Sequence, residues 1–147
     1  MADRVGTADE AMAAVLADEL LHVDGEPAGW ALLGWGDHRH VWLAPSGTVY
    51  KVGLDGANRY EVNRLAELRR QGKKFAPSAT LWTCEWTDGY GDERRSTVVA
   101  MPYLPEDGSV PRDDPRRQMI AVAGSDFNAS NCHANGGQLW LIDAGGL

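Results

Sequence analysis

The sequence predicts an α+β fold, a five-stranded antiparallel sheet with a helix packed on it. Three observations lead there. Short runs rich in valine, threonine and aromatic residues recur between turn signals, as strands do. One longer stretch carries Val62, Leu65 and Leu68 at the spacing of a single inward helix face. Short polar turns join neighbouring runs, which makes a system of antiparallel hairpins.

The chain is expected to begin with a helix. Thr7 and Glu10 have capping-box spacing, in which each side chain meets the other's backbone N–H. Met12, Val15, Leu16 and Leu20 follow at helical spacing, and Asp24-Gly25-Glu26-Pro27 ends the helix. Strands are expected at residues 30–34, 41–43 and 48–52, with a loop at 35–40 and a turn at 44–47 between them. A second helix covers 58–70 and stops at Gly72. Strands at 79–86 and 97–103 flank a polar hairpin at 87–95. Residues 104–114, with prolines and several acids, read as a linker. Residues 115–123 read as a short helix with Pro115 first, 124–137 as a loop, and 138–142 as a last strand.

A length of 147 residues points to one domain, and 44% hydrophobic residues is ordinary for a globular protein. The net charge of −7 opposes non-specific binding to nucleic acid or to an anionic membrane. Two cysteines far apart in sequence fit a reducing cytoplasm. No run approaches the roughly 20 apolar residues of a membrane span. The first ten residues are too acidic and polar for a signal peptide. The expectation is a soluble cytoplasmic protein, its core packed with some of the six tryptophans.

Four groups of residues carry chemistry. Gly34-Trp35-Gly36 lies between two strands, where glycines let backbone N–H groups approach phosphate oxygens. With 17 glycines in the chain, a hairpin turn is the ordinary alternative. Val41 follows at a spacing suited to packing on a purine. Lys51 stands among apolar residues on a strand, and a buried lysine needs a partner. An edge-strand lysine that discourages aggregation is the competing explanation. Glu61, on the next helix, is placed to be that partner; a solvated carboxylate is the alternative, and Glu67 is the rival candidate. Finally, Asp126 precedes Asn131, and an apolar strand then ends in Asp143-Ala144-Gly145. Phosphoryl transfer needs a group to take the nucleophile's proton and oxygen ligands for magnesium. Asp126 suits the first role, and Asn131 and Asp143 the second.

Taken in order, Gly34-x-Gly36, Lys51, Glu61, Asp126, Asn131 and Asp143 resemble the protein-kinase-like superfamily. The local style is closer to aminoglycoside and other small-molecule phosphotransferases than to eukaryotic protein kinases. Residues 98–104 look like the strand and hinge that hold adenine by backbone hydrogen bonds. The resemblance implies one minimal kinase-like domain. Residues 1–29 would be an N-terminal helix, 30–103 a nucleotide-binding lobe, and 104–147 a reduced catalytic segment. It implies ATP and magnesium as cofactors, with the γ-phosphate passed to an unknown acceptor. Lys51 would hold the phosphates and Glu61 orient it. Asp126 would be the base, and Asn131 and Asp143 would hold the metal. Gly34, Gly36, Val41, Met101 and Tyr103 would surround the nucleotide.

The pattern departs from the family in places. Arg39 stands where a third loop glycine is usual, Gly124 where a histidine is, and Ala144 where an aromatic residue is. The stretch between the hinge and Asp126 is too short for the family's helical substrate lobe. These departures support a second reading: a non-catalytic kinase-like binding or inhibitor protein, a pseudokinase acting through a protein partner. A compact effector from a mobile element or phage would be of this kind. The 124–137 loop is expected to pack on the sheet, on the first helix or on a second chain. Apolar surface left by the missing lobe favours a homodimer. A calcium loop is rejected, since Asn131 and Gly137 stand where its glycine and bidentate acid belong. His38, His40, Cys132 and His133 lack zinc-site spacing. There is no Walker loop and no Gly-x-Ser-x-Gly. Arg94-Arg95 and Arg116-Arg117 read as surface charge.

Overall fold

Alternation along the strands sets the architecture. In a computed structural model, residues 4–5, 9, 12–13, 29–35, 39–88, 90–124 and 131–143 are described. Strands β1 (Arg4–Val5), β2 (Ala31–Trp35), β3 (Arg39–Leu43), β4 (Thr48–Gly53), β5 (Thr80–Thr87) and β6 (Glu93–Pro102) form one sheet in the order β1-β5-β6-β4-β3-β2. Five of them are antiparallel, as expected; β1 adds to the edge, parallel to β5. A two-residue strand carries no periodic signal, so β1 is invisible in the sequence.

Odd and even positions face opposite ways. The even face gathers Tyr50, Val52, Cys84 and Val98, with Trp30, Trp82 and Trp86 packed against them. Ala13, which is helical, is buried in this layer, whereas Met12, expected on the inward face of the first helix, is exposed. The rest of that helix's signals, Thr7, Glu10, Val15, Leu16 and Leu20, lie outside the described residues. The odd face packs Val49, Leu81, Val99 and Met101 against Val62, Leu65 and Leu68 of helix α1 (Asp55–Arg70). Helix α1 starts before residue 58, the expected bound. Gly56 and Asn58 are poor helix formers and mask the first turn, where the Asp55 carboxylate favours the helix dipole. At the other end Gly72 has φ 78°, and the N–H groups of Gly72 and Lys73 close on the carbonyls of Arg69 and Leu68.

Three further expectations are corrected. Residues 39–40 belong to β3 rather than to a loop, because Arg39 and His40 register against Gly53 and Val52. The hairpin at 87–95 is tighter, since β6 already begins at Glu93. The stretch 124–137 is not all loop: β7 (Cys132–Asn135) pairs with β8 (Gln138–Leu141) around Gly136 and Gly137, both at positive φ. This hairpin, together with helix α2 (Arg116–Ala123), places Ile120, Cys132, Ala134, Leu139 and Leu141 in the same core as α1. Backbone bonds seal the join, with Leu141 N–H donating to Phe75 O at 2.8 Å.

Arg117 corrects the surface reading of Arg116-Arg117, for it is 4% exposed. Its guanidinium meets Glu106 at 2.5 Å and also donates to the carbonyls of Pro111, Val110 and Cys132. Glu106 in turn accepts the N–H groups of Ala134 and Gly108. One ion pair therefore ties the 104–114 stretch to α2 and β7. Gly124 closes α2 where Leu141 leaves no room: an added Cβ would lie 2.8 Å from Leu141 Cδ1. No helix among the described residues is long and apolar enough to cross a membrane.

The Arg117 hydrogen bond draws the Glu106 carboxyl down from 4.5 to about 2, against the opposing effect of burial. A depressed carboxylate stabilises the fold fully above its unfolded value and loses that contribution as pH falls through its folded value. Urea midpoints are therefore expected to fall between about pH 4.5 and about pH 2, with a shallower fall in Glu106→Gln. Glu106→Ala leaves Arg117 buried without its carboxylate and should cost about 3–5 kcal/mol in the same titration. Gly124→Ala, which forces a methyl group onto Leu141, should cost about 1–3 kcal/mol.

Candidate functional site

Strand β4 lies inside the sheet, between β3 and β6, which removes the edge-lysine explanation for Lys51. Lys51 registers between Val41 and Val99 on the odd face and is 4% exposed. An ammonium so enclosed is costly unless paired and hydrogen-bonded. Helix α1 brings the pair. Its inward stripe of Asn58, Glu61, Val62 and Leu65 puts a carboxylate one turn from the apolar anchors. Asn58 Nδ2 donates to Thr97 O at 3.0 Å and to Thr97 Oγ1 at 3.1 Å, which fixes the first turns of α1 on β6. Lys51 Nζ then donates to Glu61 Oε2 at 2.7 Å and to Ile142 O at 2.7 Å. Glu67, the rival candidate, pairs with Arg70 and accepts from Gln71 on the outer face of the helix.

The second oxygen of Glu61 is also occupied. Arg39 Nη1 donates to Glu61 Oε1 at 2.6 Å, and Arg39 Nη2 to Asp143 Oδ1 at 3.1 Å. Lys51, Glu61, Arg39 and Asp143 thus form a continuous chain of alternating charge. Asp143 is the open end, with its side chain 44% exposed.

This chain borders a cavity of about 330 Å³, at the lower end of the ~300–1,000 Å³ usual for small-molecule sites. Leu33, Val41, Val49, Met101 and Tyr103 give it apolar walls, Lys51, Asn131 and Asp143 a polar end, and His133 a further polar group. Gly34 lies on β2 beside a bulge, within the strand expected at 30–34, and Trp35, expected to open the loop, belongs to β2 as well. A Cβ there would meet nothing within 4 Å, so the bare backbone faces open space beside the cavity. Asn131 O accepts Ile142 N–H at 2.8 Å, which holds the residues of the polar end side by side. His133 Nδ1–H donates to Leu104 O at 2.8 Å and ties the segment after β6 to β7. A larger hollow of about 520 Å³ beside Arg69, Lys73 and Trp140 is lined by none of these residues.

Lys51, Glu61 and Asp143 are thus linked, and Gly34, Val41, Met101, Tyr103 and Asn131 share the cavity with Lys51 and Asp143. Gly36 and Asp126 lie outside the described residues. Sequence reasoning missed three participants: Arg39, the Ile142 carbonyl and His133. Arg39 was detectable, since it stands two residues before Val41 and shares its face once β3 is extended. The carbonyl was not, because its role depends on where β8 ends.

No protein-family model matches the chain, and no curated protein matches it. Among the described residues, no three His, Cys, Asp or Glu side chains gather to hold a metal ion.

Unequal sharing of Glu61 predicts unequal mutational costs. Glu61→Leu leaves both Lys51 and Arg39 without their shared carboxylate and should cost about 3–5 kcal/mol. Lys51→Met leaves Glu61 paired with Arg39 and should cost clearly less. Thermal unfolding of the two variants orders them, and a larger loss in Lys51→Met would contradict the geometry.

Proposed function

We propose that the chain is a minimal kinase-like phosphotransferase that binds ATP with magnesium and passes the γ-phosphate to an acceptor. The observation that carries this reading is the buried Lys51–Glu61 pair at the polar end of a cavity shared with Asp143. An ammonium held by a carboxylate and a carbonyl keeps a fixed position, which is what orienting a phosphate requires. The apolar walls suit a purine, and the backbone after β6 suits its ring edge.

Magnesium prefers carboxylate and amide oxygens and retains several waters. Asp143 and Asn131 offer such oxygens at one end of the cavity, and the half-exposed Asp143 carboxylate is reachable from solvent. The residues therefore fit the ion, which would supply charge neutralisation for the phosphates. The resemblance makes Asp126 the base: the acceptor hydroxyl gives its proton to that carboxylate as its oxygen bonds to phosphorus and ADP departs.

A second reading rests on a specific observation. Asp143 is already ion-paired with Arg39, and the described residues of 104–143 hold one short helix, α2. A kinase-like binding protein, acting on a protein partner or as a homodimer, would need no more than this.

ATP with magnesium is expected to stabilise the protein by about 2.7 kcal/mol at about 100 times Kd, read as a rise in Tm. Lys51→Ala and Asp143→Ala should abolish that rise. A Tm that ignores nucleotide and metal alike overturns the enzymatic reading. Nucleotide binding with no labelled phosphate transferred to protein, sugar or antibiotic acceptors selects the second.

A further inference from the structure

We infer that Arg39 is a latch on Asp143 that sets how much divalent cation the site requires; this rests on the nucleotide reading above. Glu61 already has the Lys51 ammonium at 2.7 Å, so neutralising Glu61 does not call for a second cation. Arg39 is nonetheless held there, with its side chain 11% exposed, and reaches past Glu61 to Asp143. Within this four-residue chain the charges of Lys51 and Arg39 balance those of Glu61 and Asp143.

The two ends of the guanidinium are unequal. Nη1 meets a fully buried carboxylate at 2.6 Å and stands 3.5 Å from Asn58 Oδ1. Nη2 meets a carboxylate that is 44% exposed, at 3.1 Å. The Glu61 end is therefore the hinge, and the Asp143 end is the one solvent and ions can compete for. A divalent ion arriving at Asp143 must displace Nη2 or share the carboxylate with a neighbouring positive charge. Either costs affinity, and the coupling is reciprocal: metal at Asp143 weakens the hold of Arg39. Arg39 needs no contact with nucleotide to do this; it acts through Asp143 as a positioning residue.

The test is the Mg²⁺ concentration that gives half of the ATP-induced rise in Tm, at fixed saturating ATP. Arg39→Gln keeps a polar side chain but removes the charge, and should lower that midpoint about tenfold. Arg39→Lys, which keeps a cation, should restore it toward wild type. A purely structural Arg39 would lower Tm in both variants without moving the Mg²⁺ midpoint, and an unmoved midpoint overturns the inference. Should Arg39→Gln not fold, ¹⁵N spectra of the wild-type protein decide. The Arg39 guanidinium signals, assigned by their loss in Arg39→Lys, should shift when Mg²⁺ is added to the ATP complex. An unchanged signal, while Mg²⁺ still raises Tm, overturns the latch alone. No effect of ATP on wild-type Tm overturns the nucleotide reading and the latch with it.

Discussion

A lysine enclosed between two valines inside a sheet is tolerable only with an anion against it. In this chain that requirement falls on Glu61, and much of the structure follows from meeting it. Helix α1 must cross the odd face with its acidic position over β4, so its phase is set by charge as well as by Val62, Leu65 and Leu68. Asn58 repeats the logic one turn earlier, where its amide satisfies Thr97 on β6. Another hydrogen of the ammonium goes to Ile142 O, which draws the end of β8 to the sheet. Asp143 is next in sequence, so the polar end of the cavity is assembled by the same contact.

The segment after the sheet is short, yet it has a core because it shares one. Helix α2 and the β7–β8 hairpin could not bury their apolar faces alone. They lean on the C-terminal half of α1, with Ile120, Leu139 and Leu141 continuing the cluster begun by Leu65 and Leu68. The Arg117–Glu106 pair does for this segment what Lys51–Glu61 does for the sheet. A buried charge with several carbonyl partners admits few alternative geometries, so the 104–114 stretch is tied down although it has no regular structure.

Legibility differed between elements for physical reasons. Strands β4, β5 and β6 announced themselves through alternation and turns, and α1 through its apolar stripe. Strand β7 did not, because Cys132-His133-Ala134-Asn135 has little β propensity and is recruited by pairing with β8. Arg117 was misjudged because a pair of arginines in a polar stretch resembles surface charge until Glu106 is seen to accept from it. Gly124 had no local meaning either; Leu141, distant in sequence, occupies the space a side chain would take.

The sequence by itself determined the α+β class, the antiparallel pairing of the five longer strands, and the need of Lys51 for a carboxylate on the following helix. These are local or nearest-neighbour properties, set by periodicity, by turns and by the cost of burying a charge. Only the tertiary structure decided that Glu61 rather than Glu67 is the partner, that Arg39 completes a four-charge chain to Asp143, and that the last hairpin shares the core of α1. Arg39 and Asp143 are 104 positions apart along the chain. Contacts at such separation are fixed by packing, and no spacing in the sequence encodes them.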